Sequence, residues 1–324
     1  MRVSMLPRNP CAAPRPVDEF DLIQRYFVRD GEARGVTTGI GDDGAVLQPE
    51  PGREIITVID TLVESVHFPA DISPADLGYR CVAVNLSDIA AMGGRPLWMT
   101  LALTMPGSDE EWLSGFAGGL HEAAAEHDVS LVGGDTTRGD SIVISVQISG
   151  DIAEGAAVHR SGAHAGDTIY VTGTLGDAGA GLALLSAGNS DDYLLQRFLR
   201  PTARVAAGQA LPGLASAAID ISDGLLGDLQ KLLDASGVGG EVRLEALPIS
   251  DALKAAFDKK SQRRFVLTAG DDYELCFTSS RDVPPELGGV PVTAIGTVTD
   301  GDSLVCRNHG EIVELADSGY RHFR

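Results

Sequence analysis

Apolar residues along this chain come in short runs broken by glycine and acid, with no single period from end to end. Phe20, Ile23 and Phe27 share one helical face, which predicts a short amphipathic helix over 18–27. Strands are predicted over 45–48 and 54–59, the second ending at Asp60. Ser73-Pro-Ala-Asp76 supplies an N-cap, a first-turn proline and an acidic third residue, so a helix begins there and stops at Gly93-Gly94. Within it Leu77, Cys81, Val84 and Asp88 fall on one stripe, which aims Asp88 inward. There follow a strand over 97–105, a helix opened by Ser108-Asp-Glu-Glu111, a strand over 129–132 delivering Gly133-Gly134-Asp135, and a strand over 141–152. Beyond an Ala-, Gly- and His-rich stretch at 153–166 come a strand over 168–172 and helices near 177–187, 192–199 and 203–211. A strand over 217–219 ends in Asp220, and Ser222 begins a helix striped by Leu225, Leu226, Leu229, Leu232 and Leu233. Strands near 241–245, 264–268, 274–278, 291–298 and 303–306 finish the pattern.

The alternation predicts a mixed α/β chain of two domains, 18–152 and 153–324, with 1–17 as a disordered extension or the product of an upstream start codon. No short-period repeat is visible, and the runs are too irregular for a TIM barrel. With 324 residues, 44% of them hydrophobic, the chain can bury one large or two moderate cores. A formal charge of -21 argues against nucleic-acid or anionic-membrane partners, which need a basic footprint. Cys11, Cys81, Cys276 and Cys306 form neither a C-x-x-C pair nor a zinc spacing, and no run reaches the roughly 18 apolar residues of a membrane span. A soluble, cytoplasmic protein is the expectation.

Chemistry concentrates in Asp-bearing segments, most of them where an apolar run meets glycine: 39–44, 58–61, 85–88, 133–136, 218–224 and 269–272. A carboxylate at the end of a hydrophobic strand is costly unless donors or a cation compensate it. Magnesium fits that need, because it takes oxygen ligands and is usually held by one or two carboxylates together with substrate phosphates. Each segment has a plainer reading too: Gly41-Asp-Asp-Gly44 is turn chemistry, Asp60 and Asp135 could close turns, and Ser222 or Asp223 could be the N-cap of the leucine-striped helix. His67 and His164 are lone histidines, and Arg160 is a surface residue or a phosphate fork. The only lysines are Lys231, Lys254, Lys259 and Lys260, and there is no Walker-A loop or kinase glycine loop. A phosphotransferase of this composition must draw its positive charge from arginines and metal ions.

Taken together, G-I-G-D-D at 39–43, D-T-L-V-E-S-V-H-F at 60–68, A-V-N-L-S-D-I-A-A-M-G at 83–93, G-G-D-T-T-R-G at 133–139, R-S-G-A-H-A-G-D at 160–167, A-I-D-I-S-D-G-L at 218–225 and D-Y-E-L-C-F at 272–277 resemble the thiamine-monophosphate kinase family in order and spacing. That family belongs to the aminoimidazole ribonucleotide synthetase-like superfamily, and the resemblance spans about residues 18–324. It implies a two-domain PurM-like fold, with N-terminal domains pairing through their sheets in a homodimer. It also implies ATP-dependent phosphorylation of thiamine monophosphate to thiamine diphosphate, with ATP as co-substrate and several Mg²⁺ ions. By position, Asp43, Asp60, Asp88, Asp135, Asp220 and Asp223 are implied as metal ligands. Gly134, Asp135, Arg160 and Ser222 are implied as ATP contacts, and His67, Asp271 and Tyr320 as contacts to thiamine phosphate. Two departures stand out: Val58 and Ile59 replace the hydroxyl residues common before Asp60, and Asp271 replaces a usual Glu. The alternatives are another ATP-dependent small-molecule phosphotransferase of the superfamily, a metal-dependent phosphohydrolase, or a non-catalytic divalent-ion binder.

Overall fold

The computed structural model describes residues 19–29 and 33–313, so the 1–17 extension and Tyr320 lie outside the described residues. In chain order the elements are α1 (Glu19–Leu22), which widens into a π-helical turn at Ile23–Phe27, β1 (Val36–Thr38), β2 (Val46–Leu47), β3 (Arg53–Val63), α2 (Pro74–Ala91), β4 (Arg95–Met105), α3 (Glu110–Ala125), β5 (Ser130–Arg138) and β6 (Val143–Ala153). The second half adds β7 (Thr168–Thr172), α4 (Asp177–Ser186), α5 (Asp192–Leu199), α6 (Val205–Gly208), β8 (Ala217–Asp220), α7 (Leu225–Ser236) and β9 (Gly239–Arg243). It closes with α8 (Asp251–Ala256), α9 (Lys259–Thr268), β10 (Leu275–Ser279), β11 (Glu286–Leu287), β12 (Val290–Thr299), β13 (Leu304–Asn308) and β14 (Glu311–Ile312).

In the first half a four-stranded sheet runs β3-β6-β4-β5, antiparallel except for the parallel β4–β5 pair. Along β3, Ile56 and Leu62 are buried while Ile55, Thr57, Ile59 and Thr61 are exposed, as period-two side chains require of a sheet covered on one face. In the second half the strand order is β14-β13-β9-β12-β7-β10-β8, with β11 beside β12. Helix α2 joins the halves, packing on α3 and the first sheet and also on α6 and β8. Gly208 permits that approach, because a Cβ there would sit 2.2 Å from the carbonyl oxygen of Ala90. One apolar core accordingly takes residues from both halves, among them Leu86, Ile89, Phe116, Val205, Leu211 and Phe277.

The helix at 73–94 starts as read, with Ser73 Oγ accepting from the Asp76 N–H at 3.1 Å. Other expectations need correction. The 264–268 run is the end of helix α9, capped by Asp258, whose Oδ1 accepts from the Ser261 N–H at 2.8 Å. Phe265, Val266 and Leu267 are all buried there, and a short apolar run has no period that separates strand from helix. Gly133-Gly134-Asp135 lies inside β5, and Asp60 inside β3, because pairing with β4 and β6 carries both strands past their apolar stretches. The leucine-striped helix begins at Leu225, after Gly224 at φ 107°, leaving Ser222 and Asp223 in the preceding turn. The helix expected over 203–211 is only the single turn Val205–Gly208.

Candidate active site

A cavity of about 820 Å³ opens where α2 faces the second half. Strand β3 contributes Asp60, the turn after it His67, and the last turns of α2 Val84 and Asp88. Arg160 enters from the segment between β6 and β7, while Asp220, Ser222 and Asp223 come from the end of β8 and the turn that follows, and Asp271 from the loop before β10. Eight of the sequence-indicated residues, from five separated segments, thus share one cavity.

Three carboxylates at its centre lie in an acid-rich setting. Asp220 is buried, receives the Ser87 hydroxyl at 2.8 Å, and has its pKa held well above the usual range by burial and by the charges of Asp88 and Asp228. Burial, followed by the charge of Asp60, pushes Asp88 up to about 6, against the pull of Arg160. Asp60 is raised chiefly by burial, with His67 pulling it down; its N–H donates to Asn85 Oδ1 at 3.0 Å. His67 Nδ1 accepts from the Val63 N–H at 2.9 Å, which leaves Nε2 to carry the proton of the neutral ring.

Around this centre the structure adds groups that the sequence reading missed. Asp228 on α7 is buried, and its Oδ2 accepts from the N–H groups of Ser222 at 3.0 Å and Asp223 at 2.8 Å, doing for this turn what an N-cap would do. Lys231 donates to Asp223 Oδ2 at 2.6 Å and Asp228 Oδ1 at 2.8 Å. Asp228 shares the leucine stripe of α7, so the reasoning that singled out Asp88 was available for it. Arg80 is buried under the cavity, paired with Asp271 and lying 4.6 Å from the Phe198 ring centroid. The Tyr273 hydroxyl also donates to Asp271, at 3.1 Å. Asp271 and Tyr273 both have positive φ, 72° and 51°, a left-handed backbone that is uncommon outside glycine and costlier for a bulky residue such as Tyr273 than for an aspartate. The neighbouring Asp272 is buried and accepts from the Gly176 N–H at 2.6 Å, at the start of α4.

Other indicated residues are not brought into this cavity. Asp43 is exposed in the turn before β2, and Gly134 and Asp135 are exposed on β5. Among the described residues, no three His, Cys, Asp or Glu side chains are grouped as a ready-made ion cage. The donor set still suits Mg²⁺, which takes one or two carboxylates and completes its shell with water and phosphate oxygens. Six carboxylates line the cavity against three permanent cations, Arg80, Arg160 and Lys231, so a polyphosphate needs further positive charge to enter.

Comparison with known proteins places this arrangement. Residues 41–152 match the family described as AIR synthase related protein, N-terminal domain, and residues 164–307 match AIR synthase related protein, C-terminal domain. The class is therefore that of the two-domain AIR synthase-related proteins. Over 319 residues the chain is 48% identical to the thiamine-monophosphate kinase of Salmonella typhimurium strain LT2, covering 94% of this chain and 98% of that one. It superposes on the crystal structure of thiamine-monophosphate kinase from Stenotrophomonas maltophilia K279a with a TM-score of 0.81 at 42% identity, over 87% of this chain and 93% of that one. AaThiL complexed with AMPPCP and TMP gives a TM-score of 0.78 at 34% identity, over 88% and 92% of the respective chains. The chain belongs to the thiamine-monophosphate kinase family. No helix among the described residues is long and apolar enough to cross a membrane.

Proposed function

We propose that the chain transfers the γ-phosphoryl group of ATP directly to the phosphate of thiamine monophosphate, yielding thiamine diphosphate and ADP. The observation that carries this reading is the cavity lined by Asp60, Asp88, Asp220 and Asp223, acidic in excess and lying between the two halves. Its acid is suited to a reaction whose obstacle is repulsion between two phosphorylated molecules. The acceptor oxygen is already anionic, so no general base is required. Asp60, Asp88, Asp220 and Asp223 would hold Mg²⁺, which when bound supplies the charge neutralisation that arginines alone do not. Arg160 supports the phosphates, Ser222 offers its hydroxyl at the turn before α7, and His67 and Asp271 face the acceptor. An ATP analogue and TMP are both present in the AaThiL complex, which supports assigning the same pair of substrates here.

The homodimer belongs to the same proposal. Ile55 and Ile59 are exposed on the open face of the first sheet beside Thr57 and Thr61, and a second copy would cover that face. Asp135 pairs in register with Ala102, which pairs with Ser145 and through it with Thr61, so it points to the same side. ATP and metal contacts at Gly134, Asp135 and Asp43 would then lie near the seam between subunits. Purified chain given ATP, Mg²⁺ and thiamine monophosphate should form thiamine diphosphate without a covalent phosphoenzyme in a single turnover. Release of inorganic phosphate at the same rate without the acceptor would make the chain a phosphohydrolase instead.

A further inference from the structure

Lys231 is the first lysine of the chain; the next is Lys254. Its ammonium is placed where two carboxylates meet, 2.6 Å from Asp223 Oδ2 and 2.8 Å from Asp228 Oδ1. Asp228 cannot swing away from this seat, because its second oxygen is engaged by the N–H groups of Ser222 and Asp223. Asp223 and Asp228 therefore converge on one cation-sized point, and two carboxylates are what Mg²⁺ commonly takes from a protein. The arm to Asp223 is easy to open, since the side chains of Lys231 and Asp223 are 45% and 30% exposed and solvent-reached ion pairs hold weakly. Asp228 is buried, but the ammonium it faces is itself half in solvent and can leave without unfolding the helix. By contrast, Asp60, Asp88 and Asp220 have no lysine beside them; Arg160 is the permanent cation acting on Asp88.

The geometry points to Lys231 as a tethered counter-ion that holds the Asp223–Asp228 seat against divalent ions in the nucleotide-free protein. It is a positioning residue. When nucleotide phosphates enter, its three N–H donors gain oxygen acceptors outside the seat, and the two aspartates are released to metal. Divalent-ion loading at this position is thereby tied to nucleotide arrival. The inference rests on the proposed function for the role of divalent ions, but its test uses neither thiamine monophosphate nor turnover.

Mn²⁺ binding to the full, nucleotide-free chain is measured by calorimetry and by the electron-spin signal of the free ion. Lys231→Met should bind Mn²⁺ roughly tenfold more tightly, or take up one further ion, because a competing positive charge has gone. Lys231→Arg should behave as the parent chain, since it keeps the charge. Adding Asp223→Asn to Lys231→Met should abolish the gain. Unchanged or weaker Mn²⁺ binding in Lys231→Met overturns the inference, as does a gain that survives Asp223→Asn. If Lys231 only steadied α7, Lys231→Met would lower the melting temperature and leave Mn²⁺ affinity alone. Lys231→Gln serves as the second variant should the methionine chain fail to fold. A chain that makes no thiamine diphosphate yet shows the Mn²⁺ gain would keep this inference and lose the proposed reaction.

Discussion

Two buried aspartates at different places in the molecule show how differently the fold can compensate a buried acid. Asp151 on β6 has no exposed surface and is gripped by Arg95 at 3.0 and 2.7 Å and by Arg53 at 2.7 Å. Burial alone would raise its pKa, but the bonds from Arg95 and Arg53 outweigh burial and bring it below the usual range. Asp220 on β8 is almost as buried, yet its hydrogen-bond donor is one serine hydroxyl and its neighbours are Asp88 and Asp228, so its pKa goes up. A carboxylate whose countercharge is built in belongs to the fold. One that the fold surrounds with further acid has its charge left uncompensated, and such perturbed groups gather at functional sites, in keeping with the metal-holding role proposed for Asp220.

The comparison is open to direct attack, beginning with the larger effects. Asp151→Ala strands two arginines and should cost about 3–5 kcal/mol, seen as a fall of roughly 4–7 °C in melting temperature for a chain of this size. An unshifted melting point would remove the structural half of the contrast. Asp220→Asn should lower kcat by about 10²–10³ while the fold is kept, the size typical of losing one preorganised charge partner; parent-level turnover would remove the functional half. The same Asp220→Asn, and Asp88→Asn with it, should raise the melting temperature of the ligand-free chain by a few degrees, because each relieves repulsion among buried acids. The pH dependence sharpens the distinction further. Since the pKa of Asp151 is depressed in the fold, its contribution is fully present above its unfolded value of about 3.9 and is lost as pH falls through the lower folded value. Acid unfolding monitored by circular dichroism should therefore lose part of its steepness in Asp151→Ala. Smallest in effect, millimolar Mg²⁺ should raise the melting temperature of the parent chain, and raise it less in Asp88→Asn.

Several of the cavity's acids are legible in the sequence alone. Asp88 followed from a helical stripe, and Asp220 from a strand with an acid at its end; both line the cavity. Asp228 was equally readable by stripe logic but was hidden among leucines that read as core. Lys231 offered no signal, because a lone lysine on a helix is ordinarily a solvated side chain and its partner Asp223 looked like a cap. Asp43 and Asp135 match the family motifs as well as Asp60 does, yet they lie outside the cavity, Asp135 because β5 turns it to the exposed side of the sheet and Asp43 because it sits in the turn before β2; a motif specifies residue type and order but neither of these. The 264–268 run was misread because three adjacent buried apolar residues satisfy strand and helix alike.

By itself the sequence determined a two-domain α/β chain, its family, and the supply of carboxylates in glycine-flanked segments, all of which depend on local residue type and order. Only the tertiary structure decided which acids meet. Asp60, Asp88 and Asp220 come together because α2 is seated against β8 and α6, with Gly208 allowing the close approach. Side-chain convergence across more than a hundred residues is a property of packing, and no local pattern encodes which charges that packing will leave without a built-in partner.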